Sequence, residues 1–149
     1  MIFLLNFTGQ KKGMTPRQIS LVKSTWKLFR NMDPVVVGDA FYSKLFSTHP
    51  SLRKMFPSEM SQQYQKLMDM LTTIVSRLDR LEELSKDIAD MAVRHEGYGV
   101  KVAHYSIVGE ALLWTLEHGL GRDWTDEVAE AWLTCYNILS NAMISAVKR

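Results

Sequence analysis

The sequence holds one cysteine, Cys135, so no intrachain disulfide can close and the fold must stand on packing. That usage suits a reducing, cytoplasmic setting. Apolar and polar residues nowhere alternate at period two, and no Asn-Gly or Asp-Gly hairpin signal occurs, which excludes a sheet-built core. No apolar run reaches the length of a membrane span. The net charge is only +2 with the two signs interspersed, so no basic stripe invites nucleic acid. Internal repeats and low-complexity linkers are also missing. A chain of 149 residues is then read as one domain, long enough to bury a sizeable core.

Residues 1–13 are read as an N-terminal tail and residues 14–149 as the domain. The opening Met1-Ile-Phe-Leu-Leu-Asn-Phe7 lacks a basic leader and a cleavage site. A start at Met14, directly before a strong helix signal, is one alternative; a short membrane-touching anchor is another.

What is present is helical. Thr15-Pro16-Arg17-Gln18 combines an N-cap, a proline at the first helical position and a capping box. Ile19, Val22, Trp26 and Phe29 follow as a core stripe. Asp33-Pro34 opens a second helix with Val37, Phe41, Leu45 and Phe46 inward and Gly38 in its interior. His49-Pro50 breaks it. A short turn leads to the loop Phe56-Pro57-Ser58, where Ser58 is the candidate cap of a helix carrying Tyr64, Leu67, Met68, Leu71, Ile74, Val75, Leu78 and Leu81. That helix reads as the longest. Leu84, Ile88, Met91 and Ala92 form the next stripe, which ends at His95 and stops at Gly97 and Gly99. A helix from about Ala103 to His118 is expected to stop at Gly119 and Gly121. Asp123 or Thr125 caps a last helix bearing Trp132, Tyr136, Leu139, Met143 and Val147. The expectation is an all-α fold of six long helices and one or two short turns.

An imidazole at the end of an apolar stripe is weak evidence alone, because core histidines with satisfied hydrogen bonds are common. Its company strengthens it. Tyr42, Phe56, Gln63 and His95 converge if these helices pack as one layered body. The chain from about Thr15 to Val147 resembles the globin family in their order, in the His49-Pro50 turn, and in the 32-residue step from Gln63 to His95. Arg94-His95 with Tyr98-Gly-Val, Ala103-His-Tyr105, Val108-Gly109, and Phe41-Tyr42 with Leu45-Phe46 look like the bacterial branch. That branch contains single-domain haemoglobins and the haem domain of flavohaemoglobins.

The resemblance implies a globin fold with three-on-three packing around haem b, and His95 as proximal ligand of the iron. A neutral imidazole suits iron, and one axial ligand leaves the opposite face open. The sequence has no Cys-x-x-Cys-His, so the haem would be held without thioether bonds. Phe56 would pack on the porphyrin. Tyr42 and Gln63 would face the distal side, with Leu67 walling the same pocket. Lys66 and Arg94 would flank the haem edge, and Tyr105, Val108 and Leu112 would line the cofactor. Each has an ordinary counterpart: a core phenylalanine at 56, a core tyrosine at 42, a solvent-facing amide at 63, solvated cations at 66 and 94.

A phenol and an amide can donate to dioxygen, which takes negative charge from ferrous iron. Such a bond is worth about 1.5–3 kcal/mol, roughly tenfold to a hundredfold in affinity. Carbon monoxide, less polar, gains less. Tyr105 resembles a proximal tyrosine that joins a glutamate in flavohaemoglobins, yet a gapless count puts Val147 at the glutamate position. That weakens the expectation of peroxidase-like chemistry.

Three functions compete. The first is reversible binding of dioxygen, nitric oxide or carbon monoxide. The second is nitric-oxide dioxygenation; with the sequence stopping at Arg149, its electron is expected to come from a separate reductase. The third is a haem-less interaction or sensing module, against which the intact His95, Phe56, Tyr42 and Gln63 argue.

Overall fold

The computed structural model describes residues 13–148. The tail reading therefore falls outside the described residues except at Gly13. Among the described residues, six α-helices carry the fold: α1 (Pro16–Arg30), α2 (Pro34–Thr48), α3 (Ser61–Ser76), α4 (Ser85–Gly97), α5 (Val102–Leu120) and α6 (Asp126–Val147). Three short 3₁₀ helices connect them, at Pro50–Met55, Leu78–Leu84 and Gly121–Asp123. Strands are absent among the described residues.

The helix starts follow from local chemistry. Thr15 Oγ1 accepts from the Gln18 amide and Gln18 Oε1 accepts from the Thr15 amide, both at 3.0 Å, closing the capping box of α1. Asp33 caps α2 by accepting from the Val35 amide, and Thr125 caps α6 by accepting from the Val128 amide.

Three expectations need correction. Ser58 does not cap α3. Met60 stands at its N-cap, and the Glu59 carboxylate accepts from both the Ser61 amide (2.9 Å) and the Ser61 hydroxyl (2.7 Å). Second, α3 is not the longest helix and does not run to Leu81. It ends at Ser76 after 16 residues, while α6 has 22. Leu78 and Leu84 stay buried, but the chain turns at Arg80, whose φ of −151° leaves the helix. An apolar stripe reports burial and cannot separate a continuing helix from a kinked 3₁₀ turn. Third, Gly119 does not stop α5. It lies inside the helix because a Cβ there would sit 2.3 Å from Phe29 Cζ, and Gly121, at φ +56°, makes the stop.

The core is centred on α1 and α6. Trp26 stacks on Phe29 at 5.9 Å and meets Trp132 edge-on at 6.1 Å. Both indoles are satisfied: Trp26 donates to Thr72 Oγ1 and Trp132 donates to Thr25 Oγ1. Helix α2 packs on α3 and α5, α4 packs on α6, and α1 packs on α3 and α6. Helices α3 and α4 lean mainly on other helices and leave a cleft between them.

Candidate functional site

The cleft is a cavity of about 390 Å³. Met70, Thr73 and Ile74 of α3 face Ile88, Met91 and Arg94 of α4 across it, with Asp69, Asp87 and Asp90 around it. Its apolar lining belongs to the stripes that a helix must bury. His95 lies one turn beyond Met91 and is half-buried.

His95 Nδ1 lies 2.8 Å from the Met91 carbonyl oxygen. A carbonyl only accepts, so Nδ1 carries the proton and donates. In the neutral imidazole the lone pair is then on Nε2. This backbone contact fixes both tautomer and ring orientation, as is usual for a metal-ligating histidine. The Tyr98 ring flanks it at 6.1 Å. Helix α4 ends just beyond, where Gly99 takes φ +93° and the Val100 amide returns to the His95 carbonyl. Among the described residues no group of three or more His, Cys, Asp or Glu side chains could hold a metal ion. A metal at His95 would need its other ligands from a bound group.

Tyr42 lies in an aromatic cluster. Its ring is edge-on to Phe41 (4.8 Å) and Phe56 (5.4 Å), and 5.9 Å from both Phe46 and Tyr64. Burial, with a smaller contribution from nearby Tyr64, pushes the Tyr42 phenol up to about 12. It remains protonated, and able to donate, throughout the neutral range. Phe56 is placed by Arg53. The guanidinium lies over the Phe46 ring and donates to the carbonyls of Phe56, Pro57 and Ser58 at 2.9–3.2 Å. Sequence reasoning missed this clamp; a lone arginine in a loop gave no signal.

Gln63 opens α3 half-buried, Leu67 is buried one turn on, and Lys66 is exposed. Arg94 is exposed but borders the cleft. On α5, Val108 is half-buried and Leu112 buried. The structure thus brings Tyr42 and Phe56 into direct contact and puts Gln63 and Leu67 on the helix packed against α2. His95 stands on α4, one residue beyond Arg94, which lines the cleft.

A second cavity, about 270 Å³, lies between the end of α4, the start of α5 and the end of α6. Ala92, Glu96, Val100, Tyr105 and Val147 line it. Burial chiefly, and the Glu96 carboxylate secondarily, raise the Tyr105 phenol. Val147 brings no carboxylate here, and the acid near Tyr105 is Glu96, which sequence reasoning did not single out. The remaining histidines bond locally. His49 Nδ1 meets Thr48 Oγ1, His104 Nδ1 accepts from the Lys101 amide, and His118 Nδ1 donates to the Trp114 carbonyl.

The chain is similar to known proteins in sequence and in fold. The globin family model matches residues 39–143. An uncharacterised globin-like protein of Aquifex aeolicus is 30% identical over 91% of this chain and 96% of its own length. A flavohaemoprotein of Bacillus thuringiensis is 31% identical over 89% of this chain, which spans only 33% of that protein. Among solved structures, a bacterial globin from Campylobacter jejuni superposes with a TM-score of 0.77 at 24% identity, covering 89% of this chain and 95% of its own. An engineered carbene transferase from Rhodothermus marinus, described as a candidate nitric oxide dioxygenase, gives 0.79 at 24% identity over 89% and 92%. No helix among the described residues is long and apolar enough to cross a membrane. With its cleft between α3 and α4, the histidine at the end of the α4 stripe and a family model matched over most of its length, the chain belongs to the globin family.

Proposed function

We propose that this chain is a haem b globin that binds dioxygen reversibly at high affinity. One observation carries the reading: the His95 Nδ1 donation to the Met91 carbonyl leaves the lone pair on Nε2, on the helix whose preceding turns line the cleft. The donor set fits haem: one imidazole, a cleft whose Met70, Ile74, Ile88 and Met91 floor is edged by charged residues, and no competing cluster of protein ligands among the described residues. Bound haem would supply a ferrous iron able to take up a diatomic gas. His95 would hold the iron; Phe56, Leu67, Tyr105, Val108 and Leu112 would bury the macrocycle; Lys66 and Arg94 would pair with its propionates. Residues 14–149 would form this domain.

Tyr42 and Gln63 supply the selectivity. Each donates to a polar diatomic ligand, and the Tyr42 phenol keeps its proton up to about 12. The test is stopped-flow dioxygen release from the haem-loaded protein. Tyr42→Phe should release about tenfold to a hundredfold faster, from a lost bond of about 1.5–3 kcal/mol, while carbon monoxide release changes less. Unchanged dioxygen release would remove Tyr42 from this role.

A second reading is nitric-oxide dioxygenation with a separate reductase in the cytoplasm. The similarity to flavohaemoproteins, together with a buried protonated phenol at Tyr42, favours it. Steady nitric-oxide consumption with supplied reductant would support it; a single stoichiometric burst would leave the binder.

A further inference from the structure

Gly38 and Tyr64 meet closely where α2 packs on α3. A Cβ at Gly38 would lie 2.5 Å from two ring carbons of Tyr64, so the ring rests directly on the α2 backbone. The far end of the ring is also held. The Tyr64 hydroxyl donates to Asp39 Oδ1 over a long 3.5 Å contact, and Ser43 reaches the same oxygen at 3.4 Å. Asp39 and Ser43 are both on α2, so the ring is fixed at two points to the helix that carries Tyr42.

Gly38 precedes Tyr42 by one helical turn. Of the four rings around Tyr42, Phe41 and Phe46 share its helix and Phe56 comes from the clamped loop. Tyr64, at 5.9 Å and an interplanar angle of 31°, is the wall contributed by α3. The same helix bears Gln63 and Leu67. A bulky ring at a close helix crossing is sterically costly unless the facing residue is glycine.

We infer that Tyr64, seated on Gly38 and tethered to Asp39, is a positioning residue: it confines the Tyr42 ring to one orientation and so sets how well its hydroxyl meets a diatomic ligand. Tyr64 itself touches no ligand in this scheme. The inference rests on Tyr42 being the distal donor, and the experiment separates the two.

The measurement is the infrared C–O stretch of the carbon monoxide complex of the haem-loaded protein, recorded beside dioxygen release. An aligned donor lowers the stretch and gives one dominant band. Tyr42→Phe should raise it. Tyr64→Ala should split the band or move it toward the Tyr42→Phe position, and speed dioxygen release by about threefold to tenfold. Tyr64→Phe keeps the ring on its seat and should retain most of the wild-type band. Gly38→Ala should reproduce Tyr64→Ala by pushing the ring outward, which covers the case that Tyr64→Ala does not fold. In haem-free protein, a fluorine label on the Tyr42 ring should give one resonance in the wild type and several, or a broadened one, in Gly38→Ala. If Tyr64→Ala and Gly38→Ala keep the wild-type band while Tyr42→Phe shifts it, positioning is overturned and the donor stands. If Tyr42→Phe leaves the band unmoved, the donor falls, and the positioning role with it.

Discussion

Tyr136 on α6 donates its hydroxyl to the Tyr105 carbonyl on α5 at 2.6 Å, while its ring lies against Gly109 of the same helix. A Cβ at Gly109 would fall 2.6 Å from Tyr136 Cε2. One side chain thus joins two helices by a hydrogen bond and by a contact that excludes a methyl group. Tyr136→Phe removes the bond but keeps the ring, and should cost about 1 kcal/mol. Gly109→Ala forces the ring off its seat, an overpacking cost of about 1–3 kcal/mol. Urea titration should rank wild type above Tyr136→Phe, and Tyr136→Phe above or level with Gly109→Ala. The reverse order would mean that the bond, not the contact, joins the helices.

The α5 glycines offer a sharper contrast with the one that ends α4. At Gly119 a new Cβ would meet Phe29 Cζ at 2.3 Å, deep in the α1 core, whereas at Gly97 nothing lies within 4 Å. Gly119→Ala should lose about 1–3 kcal/mol through displacement of a fully packed ring. Gly97→Ala should be neutral or gain about 0.4–1 kcal/mol, because it restricts the unfolded chain at no steric cost. For a chain of this size the first corresponds to a Tm lowered by roughly 2–4 °C per kcal/mol. Thermal melts of the two variants side by side decide it.

These glycines mark what the sequence could and could not disclose. The stripe Val22, Trp26, Phe29 is written in the residue order and is buried as expected. So are the caps at Thr15 and Asp33, because capping is a local property of three or four residues; of the two candidates for α6, Thr125 caps it and Asp123 lies in the preceding 3₁₀ turn. Gly119 looked like a stop because glycine near a helix end usually is one; only the position of Phe29, ninety residues away, gives the other reason. The same holds at the site. His95 was legible as the end of a stripe, but the Met91 carbonyl that fixes its tautomer is a backbone atom, invisible to residue patterns. Arg53 and Glu96 were overlooked because their roles arise from contacts with a loop and with a neighbouring helix. The seat of Tyr64 on Gly38 depends on where α3 crosses α2, a tertiary relation that neither residue's neighbours in the chain report.

Cys135 offers a probe of opening. Burial pushes its thiol up to about 12, far from the ordinary value of about 8.5. The folded-state value is raised, so the protonated thiol contributes stability that is complete below the unfolded pKa. That contribution is lost as pH rises from the unfolded value through the folded one. Stability should therefore fall between about pH 8.5 and 12, with buried Tyr42 contributing in the same direction above about pH 10. A thiol reagent at neutral pH should label Cys135 only through unfolding, at a rate that climbs with urea. Rapid labelling of the native protein would show that the α6 core opens without global unfolding.

The strongest demand on the site falls on a single nitrogen. If Nε2 of His95 is the iron ligand, His95→Gly should bind haem weakly and lose the sharp Soret band of the wild type. Added imidazole should restore the band, because the cleft walls contributed by Met70, Ile74, Ile88 and Met91 remain in place. A substitution that merely unfolded α4 would not be rescued by a small soluble ring. Restored helicity and a restored Soret band must therefore be followed in the same titration. A parallel change, Met91→Pro, should fail differently. It breaks the helix turn whose carbonyl orients His95, and imidazole should recover little, since Pro costs about 3 kcal/mol in a helix interior and disorganises the wall itself. Rescue of His95→Gly but not of Met91→Pro separates the ligand from the frame that aims it.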